Sequence, residues 1–160
     1  MAEAISNTSP LLYLYRIGNI DWLGQLFDSV WIPSAVVDEL RQGLEHGYEV
    51  PNPNSYSWLK IVDPLATPSE WLVLDLGAGE IAAMALALEN RTRLVLLDDA
   101  LARKIAQGAG LTVWGTLKIL LEAKARGCCT EIAPLVERLA QSGMWLSQDI
   151  RKRILALANE

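Results

Sequence analysis

An α/β fold built on a mainly parallel sheet is what this sequence predicts, and three observations predict it. Short apolar runs of strand length alternate with helix-periodic segments along the chain, the order that winds helices over both faces of a sheet through right-handed crossovers. One run, Leu94-Val95-Leu96-Leu97, is apolar at every position, the pattern of a strand in which neither face is left to water. The 160 residues are 51% hydrophobic, which suits one domain with a sizeable core.

The elements follow in order. Residues 3–6 read as a strand that ends in the polar turn Asn7-Thr8-Ser9-Pro10, which opens a helix from about Leu11 to Ile17 closed by Gly18. Residues 22–27 read as a helical turn, and Val30-Trp31-Ile32 as a short strand stopped by Pro33. Ser34 is placed to cap a helix running through Leu44, with Val36, Val37 and Leu40 at helical spacing. Gly47, Pro51 and Pro53 mark residues 45–57 as a loop and the best candidate for a lid, and residues 58–62 as the strand after it, near a sheet edge. Leu76-Gly77-Ala78-Gly79-Glu80 opens an alanine-rich helix over residues 81–89. After the run at 94–97 come a helix over 100–109, a fifth strand over 111–114, and a helix from Gly115-Thr116 to Arg126. Two amphipathic helices, 131–141 and 148–158, finish the chain, the second capped by Ser147.

Composition narrows the function classes. A net charge of −5 argues against a protein that grips nucleic acid by overall electrostatics, so a polyanion would need metal ions or a local basic patch. The six Trp and four Tyr are scattered without basic interleaving, so the tryptophans are read as core or interface, not as a stacking platform. No apolar run of membrane-spanning length exists and the first residues lack a secretory leader, so a cytoplasmic protein without membrane association is expected. Cys128 and Cys129 are neighbours with only His46 to help them, which favours two unpaired thiols over a disulfide or a zinc site.

The chemistry-bearing residues gather in the expected topology. The first strand and the one at 94–97 are the most plausible central pair, and ligands of such sheets bind beyond the carboxyl ends of strands where the winding reverses. That rule brings Asn7 to Asp98 and Asp99, and places Glu39 and Glu80 on helices flanking the same edge. Each has a plainer reading: Asp99 as the cap of the next helix, Glu80 as a dipole-favoured first-turn residue, Glu39 as a surface partner of Arg41. Taken together, several clustered carboxylates need a compensating cation, and Mg²⁺ or Mn²⁺ prefers oxygen ligands and suits phosphodiester cleavage without a catalytic His or Ser. The Gly77-Ala78-Gly79-Glu80 run lacks the lysine and spacing of a nucleotide-phosphate loop. Arg103, Lys104, Lys118, Lys124 and Arg126 lie on the two helices after the fourth and fifth strands, as guides for a phosphate backbone or as solvated helix faces. The apolar stripe of Ile132, Leu135, Leu139, Ile150, Ile154 and Leu157 reads as core or as a homodimer contact.

Ser6-Asn7-Thr8-Ser9-Pro10-Leu11, Val36-Val37-Asp38-Glu39-Leu40, Leu76-Gly77-Ala78-Gly79-Glu80, Leu97-Asp98-Asp99 and Gly115-Thr116-Leu117 together resemble a PIN-domain protein. More narrowly, they resemble a poorly characterised VapC-like subfamily, a domain of unknown function with a D/N-T-S-P, G-x-G-E, L-L-D-D and G-T pattern. The resemblance covers nearly the whole chain. It implies a single PIN-like domain over residues 1–160, a three-layer α/β/α fold with five strands in the order 3-2-1-4-5, and a C-terminal helical extension over 131–160. It further implies an Mg²⁺- or Mn²⁺-dependent endoribonuclease acting on RNA, often a toxin paired with a small antitoxin protein, in which Glu39, Glu80 and Asp99 match family acids and Asp98 neighbours them. Asn7 stands where the family usually has Asp, so a neutral carbonyl oxygen replaces a charged ligand and metal affinity should fall. Ser9 and Thr116 are auxiliary hydroxyls that position water or phosphate, or else cap helices. The alternative is a catalytically degenerate relative that binds nucleic acid or a protein partner.

Overall fold

The computed structural model describes residues 2–160. Five strands, β1 (Ala2–Ser6), β2 (Phe27–Ile32), β3 (Leu59–Ile61), β4 (Leu94–Leu96) and β5 (Val113–Trp114), form one sheet in the order β3-β2-β1-β4-β5. All four neighbouring pairs are parallel, and the winding reverses at β1, as the alternation of elements predicted. In β1, Ala4 lies between Val30 of β2 and Leu94 of β4, and Ser6 lies beside Leu96.

Side chains of β4 alternate between two cores, which accounts for its unbroken apolar run. Leu96 enters the core shared with α1 (Thr8–Arg16), α2 (Trp22–Leu26), α6 (Thr116–Ala125), α7 (Ala133–Gln141) and α8 (Gln148–Leu157). Val95 and Leu97 enter the other core, under α4 (Ala78–Glu89) and α5 (Ala100–Gly108). All three are fully buried, and each such side chain contributes about 1.5–3 kcal/mol of transfer free energy. The result is three layers, α/β/α.

Two details of that packing set up the carboxyl edge. Helix α4 is apolar on nearly every side and packs against α3 (Ser34–Glu45). Helix α3 starts at Ser34 itself, with Pro33 at the cap position, so Ser34 does not cap it as the sequence predicted. The cap is supplied from the end of the neighbouring strand β3: Asp63 Oδ1 accepts from the Ser34 N–H at 2.7 Å and Oδ2 from the Ser34 hydroxyl at 2.6 Å.

Other elements differ from expectation for local reasons. The first helix begins at Thr8, not Leu11, because the polar turn is already helical. The excursion over 46–57 contains a short 3₁₀ turn, Pro53–Ser55, and Val50 and Pro51 from it line a cavity of about 280 Å³ with the outer face of α3. That cavity is separate from the one beside the acidic residues, so the segment is not placed as their lid. Arg93, not singled out by the sequence, is buried with its guanidinium 3.5 Å from the Trp31 ring centroid. It donates to the Ala4 carbonyl at 3.2 Å and pairs with Glu3 at 3.3 Å, joining β1 to the turn before β4. Cys128 and Cys129 are free thiols, and no helix among the described residues is long and apolar enough to cross a membrane.

The cap on α3 has a pH signature. The two bonds from Ser34 hold the Asp63 carboxyl below its ordinary value, so its contribution to stability is present above the unfolded carboxylate range and is lost as pH falls through the lower folded value. Asp63→Ala is expected to cost about 0.5–2 kcal/mol at pH 7, the usual range for a lost helix cap. In urea denaturation followed across pH, the gap between variant and wild type should close in acid; a gap independent of pH would refute the cap's ionic character.

Candidate active site

Three chain segments meet where β1 and β4 end. The Asn7 N–H continues the parallel ladder by donating to the Leu96 carbonyl at 3.1 Å, which sets Asn7 beside the start of Leu97-Asp98-Asp99. Asn7 occupies the cap position of α1 with extended backbone, yet its side chain caps nothing. An asparagine there ordinarily accepts from the N–H two or three residues on. Here Asn7 Oδ1 is buried and has no hydrogen-bond partner, a condition that costs about 1–3 kcal/mol unless a donor or cation meets it.

What that oxygen faces is an acidic cradle. Glu39, on the inner face of α3, accepts a hydrogen bond from the Thr8 hydroxyl at 2.5 Å, and its carboxylate lies against the first turn of α4. A Cβ built on Gly79 would fall 3.0 Å from Asn7 Oδ1 and from the Glu39 carboxyl carbon, and closer still to Glu39 Oε1. Glycine at 79 leaves the space these two oxygen-bearing side chains occupy, and a larger residue would push the Glu39 carboxylate out of it. Glu80 turns back so that its Oε1 accepts from the Gly77 N–H at 3.1 Å, one half of a capping box, beside the same carboxylate of Glu39. Burial pushes the Glu80 carboxyl above its ordinary value against the pull of the Gly77 bond, and the charges of Asp99 and Glu39 push it further.

The two aspartates after β4 have divided roles. Asp99 is exposed and caps α5, its Oδ1 accepting from the Ala102 N–H at 2.9 Å, so the plainer reading of this residue holds alongside its electrostatic reach to Glu80. Asp98 is turned toward β5 and α6: Oδ1 accepts from the Thr116 N–H and Oδ2 from the Thr116 hydroxyl, both at 2.7 Å. Burial raises the Asp98 carboxyl, opposed by the two bonds from Thr116 and by the positive charge of Arg103. Thr116 thus holds a carboxylate, and Ser9 lines the cavity of about 640 Å³ that Glu80, Asp98 and Asp99 also border.

The sequence-derived candidates are therefore drawn to one edge but not into one knot. Asn7, Glu39 and Glu80 converge; Asp99 stands across from Glu80; Asp98 is held aside by Thr116. Among the described residues no three His, Cys, Asp or Glu side chains converge closely enough to hold one ion. The donor set at Asn7, Glu39 and Glu80 is nonetheless all oxygen, and it contains a buried acceptor without a partner, which fits a hard divalent cation such as Mg²⁺ or Mn²⁺. Glu39 does not pair with Arg41, which instead reaches Asp38 at 3.5 Å. Thr8, the residue that orients Glu39, was missed by sequence reasoning; its place beside Asn7 in the polar turn was the available signal.

The family model described as DUF3368, PIN domain, matches residues 3–160. The chain belongs to this PIN-domain family, whose members are generally of nuclease type. The PIN fold is seen also in a solved PilT N-terminus domain protein from the hyperthermophilic archaeon Sulfolobus solfataricus P2. That protein is 16% identical, with a TM-score of 0.55 over 77% of this chain and 93% of its own. No curated protein sequence matches the chain. In this PIN domain the five-stranded order and the helices on both faces are those that the resemblance implied.

The crowding of charge around Glu80 has a measurable consequence. Because its folded pKa is raised, the carboxylate is a burden that is absent below the unfolded glutamate range and complete once pH rises past the folded value. Glu80→Gln keeps an oxygen for the Gly77 N–H and removes the charge. Without added metal it is expected to raise Tm by about 1–3 °C at pH 7 and to leave it unchanged below pH ~4. An equal or lower Tm at pH 7 would show that neither burial nor the neighbouring carboxylates penalises the Glu80 charge.

Proposed function

We propose that this PIN domain is an Mg²⁺- or Mn²⁺-dependent endoribonuclease, the toxin-like member of a toxin–antitoxin pair, whose 160 residues act as one domain with a C-terminal helical extension. The single observation that carries the metal site is the buried, partnerless Asn7 Oδ1 set against Glu39 and Glu80. In this reading Asn7, Glu39 and Glu80 would hold the ion, and Asp99, across from Glu80, would add negative charge at the same edge. Asp98 belongs to the same acidic edge and keeps Thr116 and the start of α6 in place.

A divalent cation bound there supplies the positive charge that draws in a phosphodiester and acidifies water. The chain's own residues do the rest. Thr8 fixes the orientation of Glu39, and Gly79 leaves the space that both Glu39 and Asn7 occupy. Glu80 is fixed at Oε1 by the Gly77 N–H, which keeps its carboxylate beside that of Glu39 at the same edge. Ser9 borders the same cavity and can orient water or a phosphate oxygen. A small antitoxin protein and a homodimer are part of the proposal through the resemblance to the toxin-type subfamily.

A second reading has its own support. With Asn7 neutral the edge offers less charge than an all-acid site, and one oxygen of Asp99 is engaged as a cap, which favours a degenerate relative that binds without cleaving. Two measurements separate the readings. Protein free of contaminating nuclease should cleave RNA with Mg²⁺ or Mn²⁺, and Glu80→Gln or Asp99→Asn should reduce the rate by about 10²-fold or more; undiminished cleavage by both variants would sink the assignment. By calorimetry, Asn7→Asp should bind Mn²⁺ about tenfold more tightly than wild type, since ligand charge tunes affinity. No binding to either chain at millimolar Mn²⁺ would favour the non-catalytic module.

A further inference from the structure

Trp145 is 81% exposed, whereas Trp22 and Trp71 are buried and Trp31, Trp58 and Trp114 are partly buried. It is therefore not a core residue, and of the two readings given for the tryptophans, core or interface, only the second suits it. It stands in the turn between α7 and α8, and that turn is anchored on both sides of it. Met144 and Leu146 pack against the main core, and the Met144 N–H donates to the Leu139 carbonyl at 3.1 Å. On the far side, Ser147 accepts from the Ile150 N–H at 3.1 Å to cap α8. The helices themselves are tied together by the Arg151–Glu137 ion pair and by Glu160, whose carboxylate accepts from the Ile132 and Ala133 N–H groups and from Lys124. Two inward neighbours on a clamped turn hold the indole out by construction.

The indole shares its cavity with the acidic edge. That space of about 640 Å³ has Glu80, Asp98 and Asp99 at one end and Trp145 among its other lining residues. Two cations also border it. Arg103 stands beside Asp98, and both come within 3.3 Å of the point where a Cβ on Gly115 would sit. Lys118 borders it from α6, half exposed, with its ammonium 3.1 Å from the Glu122 carboxylate. A π-face, the basic side chains of Arg103 and Lys118, and the acidic edge of Glu80, Asp98 and Asp99 in one concavity match the parts of a nucleotide in an unpaired strand. A duplex hides its base faces in the stack and has nothing to offer the indole.

We propose that Trp145 is a stacking platform for an unpaired base of single-stranded RNA whose neighbouring phosphates lie against Arg103 and Lys118, so that the strand is positioned over the acidic edge. The proposal rests on the ribonuclease reading for the direction of the strand and not for the stacking itself. Because Trp145 is exposed, its replacement leaves the core intact, and an unchanged Tm verifies that.

Binding is read by fluorescence anisotropy with a labelled, unstructured RNA of about ten nucleotides, in the Glu80→Gln chain with Mg²⁺ so that hydrolysis does not consume the probe. Adding Trp145→Ala should weaken Kd by about 5- to 100-fold, while Trp145→Phe stays within about threefold and the matching duplex binds weakly to all three chains. Replacing successive nucleotides by abasic sites should reproduce the loss at one position in the parent and cause none in Trp145→Ala. Equal affinity of parent and Trp145→Ala overturns the proposal, as does indifference to abasic sites or no RNA binding at all; equal affinity is also the result expected if this cavity seats a protein. Cleavage is scored separately. Trp145-dependent binding without Mg²⁺- or Mn²⁺-dependent cleavage by the wild-type chain overturns the ribonuclease reading alone, and cleavage lost in Glu80→Gln with Trp145-independent binding overturns the stacking proposal alone.

Discussion

The parallel ladder between β1 and β4 is the constraint on which the rest of the carboxyl edge depends. Ser6 lies beside Leu96, and the Asn7 N–H completes the next rung to the Leu96 carbonyl. A slip of one residue in that register would exchange the faces of β4, sending Leu96 to the α4–α5 side and Val95 and Leu97 to the other. Burial of all three side chains makes such a slip expensive, so the hydrophobic pattern of four residues fixes where Asn7 and Asp98 stand relative to one another.

Around that ladder, the oxygen-bearing side chains come together where α3 packs against α4. Gly79 leaves room there for Glu39 and Asn7, and a larger residue would push the Glu39 carboxylate out. The outcome is a region rich in acceptors and short of donors. The raised pKa of Glu80 and the partnerless Asn7 Oδ1 are two expressions of the same imbalance, and both are relieved by positive charge. Asp98 escapes it by taking both hydrogens that Thr116 offers.

Much of this was legible beforehand. The alternation of elements, the all-apolar run at 94–97 and the turn residues gave the parallel sheet, its central pair and the helix positions to within a few residues, because periodicity and turn chemistry are local properties; the full strand order came from the family resemblance. The gathering of Asn7, Glu39, Glu80, Asp98 and Asp99 at one edge followed from topology. What escaped was the assignment of hydrogen bonds among alternatives of similar energy. Ser34 was expected to cap α3 and is itself capped by Asp63; the hydroxyl of Thr116 was free to face water and is taken by Asp98. Thr8 went unremarked because nothing local tells that Glu39, 31 residues away, will need a donor.

By itself, then, the sequence determined the α/β architecture and the parallel sheet, which follow from which residues must leave water, and the set of polar residues that such a topology brings to the sheet's carboxyl edge; the strand order came with the family resemblance. The tertiary structure alone decided how those residues divide their oxygens: Asp99 to a helix cap, Asp98 to Thr116, Asn7 to no partner at all. It alone decided, too, that Trp145 among six tryptophans stays in solvent beside the acidic cavity. Burial is a property of patterns that can be read along a chain. Hydrogen-bond choice and the exposure of one ring depend on which distant groups arrive within 3 Å, and packing settles that only when the chain is folded.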